Sequence, residues 1–207
     1  MCYTETMNIT LQTSGLFSTN SYLIKDGDSV YLIDAPDRNS GMLELLKKEV
    51  SLTAVLLTHG HFDHIMGISE VLSLFPSVPV YLDEEDNFLI EENRNFLSFF
   101  GIPQSYYTVP SDIVLTPYGD TIGPFSVMKT PGHTPGSVSL YDEKDGVLFS
   151  GDTLFQSGEG RTDLGGNYST LHKSLSLLLE LPEKTVVYPG HGESTTVRAE
   201  RFFTYRF

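Results

Sequence analysis

The sequence predicts a mixed α/β fold in a single domain spanning residues 1–207. The length suits one domain, since domains typically run to about 100–200 residues. Two patterns support the class. β-type segments separated by turn signals open the chain, and short apolar runs then alternate with segments of helical period.

Residues 7–11, 21–25 and 29–33 read as strands, the last two joined across Asp26-Gly27, a hairpin signal. Residues 40–50 read as a helix and 53–57 as a buried strand, after which Ile65, Ile68, Leu72 and Phe75 fall at helical spacing. A short strand at 80–82 precedes a helix over 84–100, with apolar Phe88, Leu89, Phe96 and Phe99, stopped by Gly101 and Pro103. After a loop rich in Tyr, Pro and Ser, residues 125–129, 138–141 and 147–149 repeat a meander. A helix over 169–181, a strand over 185–188 and a helix from 194 to about 204 follow. Each half therefore runs from a meander ending in an aspartate (Asp34, Asp152) through a helix to a strand ending in a histidine loop (His59, His191). Two similar halves are expected.

Composition narrows the function classes. Apolar residues make up 40% of the chain, and no run approaches the roughly 20 apolar residues of a membrane helix. The start MCYTETMNITLQTSG has no basic segment and no apolar core of signal-peptide length, so a cytoplasmic protein without membrane partners is expected. A formal charge of −14 argues against nucleic acid, which is held mainly by Lys and Arg on phosphates. The acidic run Asp83-Glu84-Glu85-Asp86 reads as a solvated helix start. The single cysteine, Cys2, reads as an inert terminal thiol.

The stretch LLTHGHFDHIMG, residues 56–67, puts His59, His61, Asp63 and His64 into six positions after an apolar run. His59 and His61 lie two apart at the end of an extended segment, so their rings point the same way. Asp63 and His64 fall where the chain turns into a helix and so address a second position. A lone histidine is usually a packed core residue, but four ligand-type groups together would be costly to bury without metal or full hydrogen bonding. TPGHTPGS carries His133, FSGDTLF carries Asp152 and YPGHG carries His191, each at a strand end beside glycines that allow close approach.

The pattern HxHxDH, then His, Asp and His resembles the metallo-β-lactamase superfamily over most of the chain. The resemblance implies a four-layer αββα sandwich of two mixed sheets with outer helices and a metal site at one edge. It implies that His59, His61 and His133 bind one metal, that Asp63, His64 and His191 bind a second, and that Asp152 bridges them. Asp34 matches the family's first motif, where an aspartate supports a metal-site loop. The cofactors would be two divalent ions, zinc by donor type, with iron or manganese also compatible. In the resembling enzymes a metal-bound hydroxide attacks a carbonyl, with Asp63 and Asp152 as the catalytic carboxylates beside it.

GRTDLGG after the bridging aspartate and YPGHGESTT near the end look like the short glyoxalase-II-like hydrolases. The expected activity is hydrolysis of a small-molecule thioester such as S-lactoylglutathione. Arg161 stands where that motif offers Lys or Arg and is the substrate-side candidate, with internal pairing to Asp163 as an equal alternative. Glu159 replaces the usual cysteine of the glycine-rich stretch, and Gly192 and Glu193 stand where a tyrosine is common, which weakens the expectation of glutathione itself. The runner-up is a mononuclear iron persulfide dioxygenase. Lactone and phosphodiester hydrolases of the fold rank lower, as do β-lactamases, whose second site calls for a cysteine. His172 belongs to no motif and reads as a surface or packing residue, and Arg198 and Arg201 as solvated helix charges.

Overall fold

The computed structural model describes residues 6–35, 41–110 and 112–204, with side chains up to 202. Cys2 lies outside the described residues, as does the first residue of the helix expected at 40–50. Two compact units form, Met1–Leu82 with Asn87–Pro117, and Asp83–Asp86 with Tyr118–Phe207.

The first unit opens as the expected meander, β1 (Asn8–Ser14), β2 (Thr19–Asp26) and β3 (Ser29–Ile33), all antiparallel. Asp26 pairs with Ser29, so the two turn residues are Gly27 and Asp28 rather than Asp26 and Gly27. Gly27 takes φ +57°, which glycine adopts without steric cost. After α1 (Gly41–Leu46) the chain crosses to β4 (Ala54–Leu56), parallel to β3. Parallel pairing continues through β5 (Val80–Tyr81) to the edge strand β6 (Leu115–Thr116), giving the order β1-β2-β3-β4-β5-β6. The core packs Leu32, Leu46, Val55, Ile65, Ile68, Leu82 and Leu97. Each side chain buried this fully contributes roughly 1.5–3 kcal/mol.

Two expected helices are broken. The periodic run at 65–75 divides into α2 (Phe62–Ile65) and α3 (Ile68–Leu74) with Gly67 between. Ala35, leaving β3, docks there: its N–H donates to the His64 carbonyl and its carbonyl accepts from Gly67 N–H, both at 2.7 Å. The run at 84–100 becomes a 3-10 turn, Glu84–Asp86, and α4 (Leu89–Phe99). Asp83 Oδ1 accepts from the Glu85 N–H at 3.1 Å, capping the start of that turn.

The second unit has a sheet of order β14-β13-β10-β9-β8-β7. Its strands are β7 (Thr121–Ile122), β8 (Phe125–Lys129), β9 (Val138–Asp142), β10 (Val147–Gly151), β13 (Val186–Pro189) and β14 (Thr195–Thr196). A separate hairpin joins β11 (Leu154–Phe155) to β12 (Gly158–Glu159). Only β10 and β13 are parallel, linked through α5 (Tyr168–Leu179), whose N-cap Asn167 accepts from the Thr170 N–H at 2.9 Å. The chain closes with α6 (Val197–Thr204), which starts later than expected because Thr195 and Thr196 pair with β13. Arg201 is not a solvated charge: it donates to the carbonyls of Leu179 at 2.5 Å and Leu181 at 3.0 Å, covering the C-terminal end of α5.

The two mixed sheets with their helices bear out the expected α/β class, and the halves repeat one plan. β1-β2-β3 crosses through α1 to parallel β4, and β8-β9-β10 crosses through α5 to parallel β13. Among the described residues no helix is long and apolar enough to cross a membrane.

Candidate metal centre

In the first unit Asp34 follows β3 and the Thr58–His59 stretch follows β4, so both leave the carboxyl ends of neighbouring parallel strands. Asp34 sits at φ +57°, a left-handed conformation that aspartate tolerates better than most residues. Its buried carboxylate collects three donors at 2.8 Å: Thr58 N–H on Oδ1, and the Thr58 hydroxyl and His64 Nδ1 on Oδ2. The Ser21 hydroxyl holds the Asp34 carbonyl at 2.7 Å.

These bonds decide which imidazole nitrogens carry protons. The carboxylate only accepts, so His64 Nδ1 carries a proton, and in the neutral ring the lone pair is on Nε2. Thr58 gives its one hydroxyl proton to Asp34, so at 3.1 Å its oxygen accepts from His59 Nδ1, and the neutral His59 ring has its lone pair on Nε2. His59 lies 4.1 Å from His64 and 5.0 Å from His61 by ring centroids, and all three rings are buried. Asp63 Oδ2 accepts the Thr19 hydroxyl at 3.0 Å and stands 3.8 Å from Nε2 of His64.

Two groups unmarked by any motif brace this loop. Asn93, fully buried on α4, donates its amide to the Gly60 carbonyl at 2.9 Å, between the two paired histidines. It also donates to the Tyr107 oxygen at 3.2 Å, and the Tyr107 hydroxyl in turn donates to the Ile90 carbonyl at 2.9 Å. Burial pushes the Tyr107 phenol up to about 12, so it remains a neutral donor.

In the second unit Asp152 follows β10 and His191 follows β13, again at the carboxyl ends of a parallel pair, with Gly190 N–H bonded to the Gly151 carbonyl at 2.8 Å. His133 Nδ1 lies 2.7 Å from the Arg161 carbonyl, which only accepts, so Nδ1 carries a proton and the neutral ring has its lone pair on Nε2. Asp152 Oδ2 is 3.5 Å from that nitrogen and 3.3 Å from His191 Nε2.

In both units an imidazole Nε2 thus faces a carboxylate oxygen, an arrangement in which neutral rings and carboxylates would share a cation. Three histidines with Nδ1 tied to an acceptor and Nε2 presented are the arrangement found around metal-ligating imidazoles. The residues fit a nitrogen- and oxygen-bound divalent metal.

Arg161 is tied to its neighbour. Its Nε and Nη2 each reach a carboxylate oxygen of Asp163 at 2.6 Å, with both side chains largely in solvent. The guanidinium holds the Asp163 carboxyl down at about 2, and the carboxylate raises the arginine in return. The folded value lies below the ordinary one, so whatever the pair contributes is present above about pH 4 and lost as the pH falls towards 2. His172 is a half-exposed surface residue, 3.4 Å from Glu159 and with its ring 4.2 Å from that of Tyr168.

Residues 14–191 match the model of the metallo-beta-lactamase superfamily, a span that holds Asp34 and every candidate ligand from His59 to His191. A Bacillus subtilis protein named probable metallo-hydrolase YqgX is 41% identical over 196 residues, 90% of this chain and 91% of that one. Hydroxyacylglutathione hydrolase GloC of Haemophilus influenzae is 32% identical over 203 residues, 94% of this chain and 95% of its own. Among solved structures, TTHA1623 in a di-iron-bound form is similar with a TM-score of 0.84 at 34% identity, covering 93% of this chain and 96% of that one. The BLEG-1 B3 metallo-beta-lactamase follows with a TM-score of 0.80 at 40% identity, covering 95% and 100%. The chain belongs to the metallo-beta-lactamase superfamily, as a metallo-hydrolase by family span, fold and likeness to its relatives.

Proposed function

We propose that the protein is a binuclear thioester hydrolase acting on a small substrate such as S-lactoylglutathione. The observation that carries the reading is the set of three imidazoles whose Nδ1 atoms are fixed by Asp34, Thr58 and the Arg161 carbonyl, each with Nε2 left to bind metal. The likeness to GloC supports the thioester. By the family's motif order His59, His61 and His133 would hold one ion, Asp63, His64 and His191 the other, and Asp152 would be shared. Zinc suits the donors, and the di-iron form of TTHA1623 makes iron the first alternative.

A bound metal pair supplies a water of lowered pKa and polarises the substrate carbonyl. Asp34 and Thr58 keep the ligand rings from turning, so orientation is set before substrate arrives. A thiolate leaves at a pKa of about 8.5 and needs little help from a protein acid. A cytoplasmic site of action is part of the same proposal.

The test is metal content by elemental analysis together with S-lactoylglutathione turnover on one sample. Near two metals per chain with turnover is the expected result, and one iron without turnover would move the assignment to a persulfide dioxygenase. The likeness to BLEG-1 favours a second reading, a β-lactam ring as substrate, so a chromogenic cephalosporin belongs in the same assay. Faster turnover of that compound than of the thioester would reverse the assignment.

Arg161 is the proposed contact for a substrate carboxylate. Arg161→Ala is expected to raise KM by roughly 3- to 10-fold, the loss of one charge-assisted contact shared with Asp163. The effect on kcat is smaller, because the carbonyl that holds His133 is backbone and survives the substitution. Steady-state kinetics on the thioester decide it, and an unchanged KM removes Arg161 from the substrate site.

A further inference from the structure

The acidic run Asp83-Glu84-Glu85-Asp86 reads as solvated, but only its middle pair is. Asp83 is 2% exposed and Asp86 is wholly buried. Lys129, at the end of β8, ion-pairs with Asp83, and the Asp86 N–H donates to the Asp83 carbonyl at 3.0 Å. The turn is therefore anchored, and it aims the Asp86 carboxylate at the loop that carries His133.

Both carboxylate oxygens are used there. Oδ2 accepts the Thr134 hydroxyl and Oδ1 accepts the Gly136 N–H, each at 2.7 Å. A Cβ at Gly136 would fall 2.7 Å from Asp86 Cγ, so a residue with a side chain could not keep this approach. Thr134 spends its proton on Asp86, so the Ser137 hydroxyl donates to Thr134 Oγ1 at 2.7 Å while accepting the Thr134 N–H at 3.1 Å. On the other side of the loop His133 Nδ1 meets the Arg161 carbonyl, and the Asn167 N–H holds the Gly132 carbonyl at 2.7 Å.

We propose that Asp86 is a positioning residue for His133: by clamping Thr134 and Gly136 it fixes the loop so that the imidazole keeps Nδ1–H on the Arg161 carbonyl and presents Nε2. The proposal rests on the reading of His133 as a metal ligand and adds the group that holds it. A buried carboxylate is expensive unless its acceptors are used, and both bonds it makes here lie within three residues of His133. Charge-assisted bonds of this kind are stronger than neutral ones, which suits a clamp.

The test compares wild type, Asp86→Asn and Asp86→Ala by the 15N imidazole spectrum of His133 in metal-free protein and by zinc affinity in competition with a chelator. Wild type is expected to show a single Nδ1–H tautomer. Asp86→Ala should show mixed tautomers and a zinc affinity lower by about 10–100-fold, the usual effect of losing support behind a ligand. Asp86→Asn keeps the shape and one acceptor oxygen and should recover most of the tautomer order. A merely structural role would lower the melting temperature without moving the tautomer. A wild-type tautomer with zinc affinity within twofold in Asp86→Ala would overturn the proposal, and if that variant does not fold, the same null result in Asp86→Asn overturns it. Wild type that binds no zinc would remove the ligand reading, while the tautomer comparison still decides the role of Asp86.

Discussion

Asp152→Ala is expected to abolish thioester hydrolysis and to lower bound metal while leaving the fold intact. The carboxylate leaves the end of β10 with Oδ2 within 3.5 Å of Nε2 on both His133 and His191. Metal polarisation is worth several kcal/mol in such reactions, which at ~1.4 kcal/mol per decade means a loss of about a thousandfold or more in rate. The hydrophobic cluster of this unit, built on Leu148, Leu171, Leu178 and Val187, does not depend on the carboxylate. With zinc added, wild type gains stability in proportion to the logarithm of zinc over its dissociation constant, and the variant gains less. Paired melts with and without zinc check this alongside turnover, and unchanged turnover would exclude the shared-ligand role.

The candidate ligand residues stand out in the sequence because their types and spacing are themselves the signal. His59, His61, Asp63 and His64 crowd one loop, and His133, Asp152 and His191 each follow a strand within a glycine-rich phrase. The meanders were legible too, since strand periodicity and turn residues both mark them. The two-residue strands β6, β7, β11, β12 and β14 are too short to show any period and contact alone reveals them, whereas β5, equally short, lies in the strand expected at 80–82. The supporting groups escaped for a different reason. Asn93 acts on Gly60 from 33 positions away and Asp86 on Gly136 from 50, and neither residue type is unusual where it stands. The Arg161 group that touches His133 is a carbonyl, which side-chain identity does not encode. Asp86 misled because a run of four acidic residues looks solvated, whereas the turn directs its first and last members inward.

Gly160→Ala is the second large effect expected, and it is carried by backbone packing rather than by a ligand. A Cβ at this position would fall 1.8 Å from the Asp152 carbonyl oxygen and 3.2 Å from His133 Cβ. The first of these is backbone, so it cannot swing aside as a flexible side chain would. One methyl would push the Asp152 peptide and the His133 loop apart, both of which the proposed metal site needs. Overpacking typically costs about 1–3 kcal/mol, and a contact this short belongs at the upper end or beyond. Metal affinity should fall by about 10–100-fold, as when the support behind a ligand is lost. Gly158 on the same hairpin is the matched control, since a Cβ there meets nothing within 4 Å and its φ is not positive. Gly158→Ala should fall within about 0.5 kcal/mol of wild type, or gain slightly by restricting the unfolded chain. Thermal melts of both variants, with zinc titration, separate the two cases. Equal behaviour at positions 158 and 160 would mean that Asp152 and His133 do not depend on close packing at Gly160. The expected divergence would explain a glycine directly before Arg161 by the room that two ligand-bearing segments require.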